Sequence, residues 1–209
     1  MGLLNTILGR TKPVQSNLDA LFALPSASIT LQSAAGMSCS GNGGVCFKPP
    51  SGQGFEEMQA EVVKLLSMDG ATGLRKAEDS YGYQWLVVED ADIGELVTRI
   101  HLVNSSLSDA GWGPQLLCSV FGLATLPPSD GDGPEGTEAE MQAGPGQVLP
   151  STAYLVYLFK RGTFYPFVPD GHEKRDTELE LRLKSLVADD LTVESDLDRW
   201  FPLWDLPVN

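Results

Sequence analysis

The chain has 209 residues, 42% of them hydrophobic, so one globular domain could bury roughly 70% of the surface that the unfolded chain exposes. Lys and Arg total 14 against 28 Asp and Glu, and a formal net charge of -14 disfavours binding of the whole surface to DNA, RNA or anionic lipid. No apolar run reaches the roughly 18 to 20 residues that a membrane-spanning helix needs. The composition therefore predicts a soluble protein without a nucleic-acid partner or a transmembrane segment.

The chain opens with a short amphipathic helix predicted at residues 1–10, since four Leu and Ile side chains between positions 3 and 8 share one helical face. Such a helix could make peripheral contact with a membrane or dock on a partner, or it could cover the protein's own core. A second short helix is predicted from Ser16 and Asn17 to Pro25, where the proline is expected to end it. Residues 29–37 fit a helix or a strand.

The middle of the chain alternates between strand and helix patterns. "SGNGG" at 40–44 predicts a turn, and a short strand at 45–48 follows it. Residues 55–66 predict a helix, residues 73–79 and 83–89 a hairpin across "DSYGY", and a second helix begins near Asp92. Leu116 to Phe121 is apolar on both faces, which indicates a central strand. The order strand, helix, strand, strand, helix, strand over 45–121 is that of a ferredoxin-like βαββαβ unit.

The last third adds a loop, a hairpin and a helix. Residues 127–147 hold four prolines, five glycines and five acidic residues without a basic one, which predicts a flexible acidic loop inserted in the domain. A hairpin at 152–168 and a helix at 174–187 extend the sheet, and the Trp-rich segment at the end is expected to pack on the body. The predicted fold class is α+β, a single domain over 1–209 with a mainly antiparallel sheet and helices packed on it.

The hairpin at 152–168 is the best candidate for a partner-binding surface. Pro166 cannot donate a backbone hydrogen bond, so its strand belongs at a sheet edge, next to a basic tip. The alternative is that the aromatic side chains pack beneath the C-terminal segment. Because exposed charges in turns contribute little to folding, charge reversal at Lys160 and Arg161 should weaken partner capture and leave the thermal midpoint nearly unchanged. The candidate partner-binding residues are Tyr157, Phe159, Lys160, Arg161, Phe164, Tyr165 and Phe167.

No residue pattern predicts catalysis, a metal or a cofactor. Cys39 and Cys46 lack the close paired spacing of a zinc site, and Cys118 lies within a predicted strand, which favours a core role. His101 and Asn104 occupy neighbouring edges of the second helix, so they form either a polar pair facing a cleft or a satisfied core pair. Neither glycine run matches a phosphate loop or a dinucleotide site. The odd number of cysteines and the lack of a secretion signal favour the cytosol.

Six blocks of the sequence cover nearly the whole chain outside residues 127–147. They are "ILGRTKPVQSNLDALFALPSASITLQ", "GVCFKPP", "SYGYQWLVVED", "HLVNSSLSDAGWGPQLLCSVFG", "LVYLFKRGTFYPFVP" and "DLDRWFPLWDLPV". Together these blocks resemble a known family, the actinobacterial and archaeal PspA-associated proteins, PspAB. The resemblance implies a small cytosolic protein of the phage-shock, envelope-stress system built around the membrane-remodelling protein PspA. It also implies a gene that often neighbours one for an HtpX-type membrane metalloprotease.

Three hypotheses for function follow. The first is a non-catalytic accessory protein that binds PspA, an associated protein or the metalloprotease, in the cytoplasm or at the inner face of the membrane. The second is a holding protein of the secretion-chaperone type that shields an apolar client segment. The third is an uncharacterised hydrolase using Cys118, His101 or carboxylates, which requires a pocket that gathers these side chains. The family that the sequence resembles has no established activity, so no catalytic residue is assigned.

Overall fold

The centre of the fold is a six-stranded sheet in which every neighbouring pair of strands is antiparallel. The computed structural model describes residues 16–48, 74–126 and 152–208, together with positions 57, 60 and 64. The strand order is β2-β3-β1-β4-β5-β6. The strands are β1 (Met37–Phe47), β2 (Leu74–Glu78), β3 (Gln84–Glu89), β4 (Leu116–Thr125), β5 (Thr152–Leu158) and β6 (Thr163–Phe167). Both predicted hairpins are confirmed, and β6, which carries Pro166, lies at an edge.

In the ranges that the structure describes, three helices pack against one face of this sheet, which confirms the predicted α+β class. They are α1 (Leu24–Ala35), α2 (Ile93–Leu107) and α3 (Thr177–Val187), and a 3-10 turn (Leu18–Ala23) leads into α1. Helix α2 begins where the sequence predicts, because the Asp92 carboxylate accepts hydrogen bonds from the backbone N–H groups of Gly94 and Glu95. The apolar spacing predicts a buried face formed by Ile93, Leu96, Val97, Ile100 and Leu107; the last four are buried, whereas Ile93 is half-buried.

Pro25 was expected to end a helix, and this expectation is wrong. Pro25 lies in the first turn of α1. A backbone N–H at this position would have no acceptor within the helix, so proline loses no hydrogen bond there, and its fixed φ suits a helix start. The ambiguous segment at 29–37 is helical as far as Ala35. Gly36, with a φ of 60°, then ends the helix in the left-handed conformation, and β1 begins at Met37.

The predicted turn at 40–44 is also wrong, because these residues lie inside the long strand β1. The pairing of β1 with β4 shifts register between Cys39 and Gly43, which indicates a bulge. A Cβ on Gly43 would lie 2.6 Å from Cδ1 of Ile100. The glycine at this position therefore lets α2 approach the sheet.

The sheet separates two buried clusters, which we call the helix face and the tail face. The helix face carries the side chains that pack against α1, α2 and α3, such as Val45 and Phe121. The tail face is covered by residues 200–208, called the tail below, which form neither a helix nor a strand. Its buried residues are Cys46, Trp85, Val87, Cys118, Val120, Tyr154, Val156, Tyr165, Phe167, Trp200 and Val208.

Three sequence expectations lie outside the described residues. They are the helix at 1–10, the loop at 127–147 and most of the helix at 55–66, of which Glu57, Ala60 and Lys64 are helical and exposed. Since the first helix of the ferredoxin-like unit falls in this part of the chain, that order remains a prediction, as does the single domain. Within the ranges that the structure describes, no helix has the length and apolar character needed to cross a membrane.

Candidate functional site

A row of side chains crosses the tail face and forms the floor of the candidate site. Trp85 pairs with Cys46, Cys46 with Cys118, and Cys118 with Leu158, on the adjacent strands β3, β1, β4 and β5. Paired residues in antiparallel strands lie directly opposite one another, so their side chains project from the same face. The strand register therefore places two cysteines side by side between an indole and a leucine.

The tail packs beside this row through aromatic contacts and hydrogen bonds. Trp200 stacks on Tyr165 with ring centroids 5.8 Å apart, and the Tyr165 hydroxyl donates to the carbonyl of Phe201 at 2.7 Å. Trp204 meets the ring of Phe167 edge-on at 5.4 Å. The Tyr154 hydroxyl donates to the carbonyl of Val208 at 3.0 Å. These contacts hold the tail over Tyr154, Tyr165 and Phe167.

A cavity of about 750 Å³ lies where the tail leaves the cysteine row uncovered. Its lining is mainly apolar, and it includes three of the large hydrophobic side chains that are most exposed in the described part of the chain. These are Tyr81, Tyr83 and Phe201, which are 56%, 38% and 54% exposed. The complete lining is Cys46, Asp79, Tyr81, Tyr83, Trp85, Leu117, Cys118, Leu158, Lys160, Arg161, Tyr165, Glu173, Arg199, Phe201, Pro202, Leu203 and Trp204.

Asp79 shapes one wall of this cavity, the turn between β2 and β3. Its carboxylate accepts hydrogen bonds from the backbone N–H groups of Tyr81 at 3.0 Å and Tyr83 at 2.9 Å. The indole N–H of Trp85 donates to the other oxygen of the Asp79 carboxylate at 2.9 Å. Because three donors hold this carboxylate, Asp79 fixes the turn that presents both tyrosines.

The Cys46 thiol on the cavity floor lies in surroundings that favour its protonated form. The pKa of the Cys46 thiol is raised, first by a hydrogen bond with the Cys118 side chain, then by burial and by the nearby Cys118 and Asp79 charges. Burial, together with these thiols, also raises the pKa of the adjacent Tyr165 hydroxyl. The Cys46 thiol and the Tyr165 hydroxyl are therefore protonated at neutral pH.

The tip of the hairpin holds a buried ion pair that the sequence did not predict. Arg161 forms a two-armed salt bridge with Glu194, whose side chain is only 1% exposed. The Thr163 hydroxyl and the backbone N–H of Asp196 also donate to Glu194, at 2.9 and 3.0 Å. Burial raises the pKa of Glu194, but these donors and the Arg161 charge outweigh it and lower the pKa to about 2. Arg161 is therefore not the unpaired turn charge that the sequence suggested, and reversal of its charge is expected to lower stability.

The structure buries the aromatic residues of the predicted partner-binding surface. Each of the five is at most 3% exposed, and only Lys160 and Arg161 present substantial surface. Tyr157 donates its hydroxyl to the carbonyl of Asn17. At the β6 edge, the N–H of Phe164 donates to Thr192 and its carbonyl accepts from Glu194, so the protein's own chain pairs with this edge. The buried aromatics are Tyr157, Phe159, Phe164, Tyr165 and Phe167.

His101 and Asn104 contact different partners. The His101 ring packs against Phe22 in a tilted arrangement with a centroid distance of 5.0 Å, and its Nε2 lies 3.9 Å from the Asp19 carboxylate. Asn104 is fully buried and donates to the Ile100 carbonyl and the Ser119 hydroxyl, both at 2.8 Å. Since α2 packs on the helix face and Cys118 lines the opposite face, the structure does not bring His101 and Cys118 together.

Sequence reasoning missed the cysteine pair and the aromatic cavity wall. The two cysteines are far apart in the chain, and only the pairing register of β1 with β4 places them together. Tyr81 and Tyr83 were recognised only as turn residues. Across the ranges that the structure describes, no group of three or more His, Cys, Asp and Glu residues has an arrangement that could hold a metal ion.

Comparison with known proteins gives one result. A search of curated proteins and a search of solved structures found no significant match. The model of one protein family, described as PspA associated protein B (PspAB), matches residues 1–208. This match includes every strand and helix described above. The chain therefore belongs to the PspA associated protein B family.

Proposed function

We propose that this protein is a non-catalytic accessory protein of the PspA-type envelope stress response, and that it binds PspA or a protein associated with PspA. The family name supports an association with PspA. The observation that carries the proposal is the tail-face cavity, because three exposed aromatic side chains surround an apolar opening there. We place the protein in the cytoplasm, at the inner face of the membrane when its partner is there.

The cavity has the features of a protein-binding site. Tyrosine and phenylalanine are enriched at interfaces because rigid rings bury large areas at low entropic cost, and anchors that fill pockets carry most of the binding energy. The cavity could admit one or two apolar side chains of a partner. Lys160 lies at its rim, is exposed and forms no ion pair among the described residues. We therefore infer a PspA segment with an apolar side chain next to a carboxylate.

Direct binding to purified PspA tests this proposal. We expect Phe201→Ser and Tyr81→Ser each to weaken the Kd by about tenfold, which corresponds to the loss of one modest interface anchor. The matched control is Ile29→Ser, because Ile29 is 69% exposed but lies on α1, outside the cavity lining. Equal Kd values for all three variants and the wild type would exclude the cavity as the binding site.

The contribution of Lys160 can be measured separately. Lys160→Glu should lower the association rate and reduce its salt dependence, since a charge at the rim of an interface acts mainly through electrostatic attraction during encounter. Lys76→Glu is the control, because Lys76 is an exposed lysine of β2 at the far edge of the sheet. If both variants change the rate equally, net charge rather than Lys160 is responsible.

A holding chaperone is the second candidate, and the same exposed aromatic residues favour it. Such a protein should suppress the aggregation of an unrelated unfolded client, and Phe201→Ser should reduce this activity. An accessory protein should instead bind PspA and leave the aggregation of that client unchanged. A parallel measurement with an HtpX-type membrane metalloprotease tests the other partner that the sequence suggested.

A further inference from the structure

The two cysteines on the cavity floor are placed for a reaction that the proposed function does not require. Cys46 and Cys118 are directly paired on β1 and β4, and their thiols are in hydrogen-bond contact. Opposite residues of antiparallel strands have Cα atoms roughly 4.5 to 5.5 Å apart. Disulfides span Cα separations of about 4.4 to 6.8 Å, so this pair needs little backbone movement to form one.

The third cysteine, Cys39, is not placed to form a disulfide with either of these two. Cys39 packs against the helix-face cluster, whereas Cys46 and Cys118 belong to the tail face. Cys39 and Cys46 also lie seven residues apart on β1. At the usual rise per residue of a strand, their Cα atoms are roughly 20 Å apart. The chain therefore holds one pair that can be bridged and one cysteine that serves as an internal control.

The cavity supplies the access that a reaction at this pair requires. Cys46 and Cys118 are 3% and 5% exposed, so they are shielded from large reagents, yet both line the cavity. The cavity volume of about 750 Å³ is large enough for a small organic disulfide. Most buried cysteines face a packed core and lack such a route.

We propose that Cys46 and Cys118 form a reversible intramolecular disulfide by exchange with a low-molecular-weight disulfide that enters the cavity. One cysteine gives up its proton and attacks the small disulfide as the thiolate; it forms a mixed disulfide and expels one small thiolate, which takes up a proton. The other cysteine then attacks the cysteine sulfur and expels the second. The two cysteines lose two electrons and two protons, and the small disulfide is reduced to two thiols. In a reducing compartment such a bond is transient, as in redox-sensing proteins.

The test is a disulfide map of the full-length protein. Reduced protein is incubated with bis(2-hydroxyethyl) disulfide, free thiols are alkylated, and the digest is analysed by mass spectrometry. We expect a peptide linked through Cys46 and Cys118, an alkylated Cys39, and loss of the link after dithiothreitol. Alkylation of the paired cysteines should fall by about tenfold relative to the untreated sample. The Cys39→Ser variant should give the same link.

Two results would overturn the proposal. One is a sample in which Cys46 and Cys118 are still fully alkylated after oxidant treatment. The other is a stable adduct of the reagent on Cys46 or Cys118 without a link between them, because directly paired thiols would resolve the adduct. Both results are read from the wild-type chain, so the test does not depend on whether a serine replacement at a buried position folds. Loss of PspA binding would leave the disulfide map unchanged, so the two proposals fail independently.

Discussion

The two faces of the sheet are covered in different ways. Helices α1, α2 and α3 cover the helix face, and their side chains fill the space above the strands. The tail face is covered by a short segment without regular structure, which leaves a cavity over the cysteine row. A tightly packed face contributes most to stability, since each buried methylene is in contact with neighbours. The less complete cover of the tail face leaves an apolar surface that is available for recognition.

The largest expected effect is the loss of a side chain from the helix face. Leu31→Ala should lower the free energy of unfolding by about 2 to 5 kcal/mol, because Leu31 is fully buried in α1 and its removal leaves a cavity. Leu203→Ala, in the tail and partly exposed, should cost about 1 kcal/mol or less. Chemical denaturation measures both. Similar losses would show that the two faces contribute equally.

Acid should weaken the attachment of the segment that precedes the tail. The folded pKa of Glu194, about 2, lies below its ordinary value of 4.5, so its contribution is complete above pH 4.5. The contribution is lost as the pH falls from 4.5 towards 2, and it amounts to about 3 kcal/mol by linkage. Glu194→Gln should remove this part of the dependence. The measurement is a set of unfolding curves at several pH values. If the Glu194→Gln variant and the wild type lose stability in parallel as the pH falls, Glu194 is not responsible for this dependence.

Gly43 and Gly44 are adjacent in β1, and a Cβ added at each would meet the cover of a different face of the sheet. A Cβ at Gly43 would lie 2.6 Å from Ile100 Cδ1 and 3.0 Å from the Val120 carbonyl, so Gly43→Ala should destabilise by about 1 to 3 kcal/mol. A Cβ at Gly44 would lie 3.0 Å from Val208 Cγ2, a side-chain methyl group, and no closer than 3.4 Å to any other neighbour. Gly44→Ala should therefore change the free energy of unfolding by less than about 1 kcal/mol. Equal destabilisation would indicate a tail as rigid as α2.

The smallest expected effect is at the hairpin tip. Lys160→Glu should leave the free energy of unfolding within about 0.5 kcal/mol of the wild type, because Lys160 is an exposed residue of a turn. Arg161→Glu should be clearly less stable, since it places a second carboxylate beside the buried Glu194. Thermal unfolding of the two variants measures how much each of these neighbouring charges contributes to stability. If both variants unfold at the wild-type temperature, the ion pair does not contribute to stability.

Sequence patterns predicted the elements better than their contacts. Alternation and turn residues predicted both hairpins, and Asp92 predicted the start of α2, because these features depend on neighbours in the chain. Pro25 was misassigned because a proline suits both the start and the end of a helix. The glycines at 40–44 were misassigned because a glycine required by a packed helix has the same sequence signature as a glycine required by a turn.

The candidate site was less accessible to sequence reasoning. The aromatic hairpin was correctly identified as a sheet edge, and the alternative that its aromatics pack beneath the C-terminal segment describes Tyr165 and Phe167. The pairing of Cys46 with Cys118, and of Arg161 with Glu194, depends on strand register and on the path of the chain after α3. Local propensity contains no information about either.

The position of the tail at one end of the described chain makes the cover of this face easy to lose. The six described strands all precede residues 200–208, so a product truncated before Trp200 would keep every one of these strands and lose the segment that covers Trp85, Tyr154 and Phe167. In such a product an apolar sheet face is open to other chains, and exposed surfaces of this kind promote aggregation. Such a product should be a substrate for chaperones and for quality-control proteases.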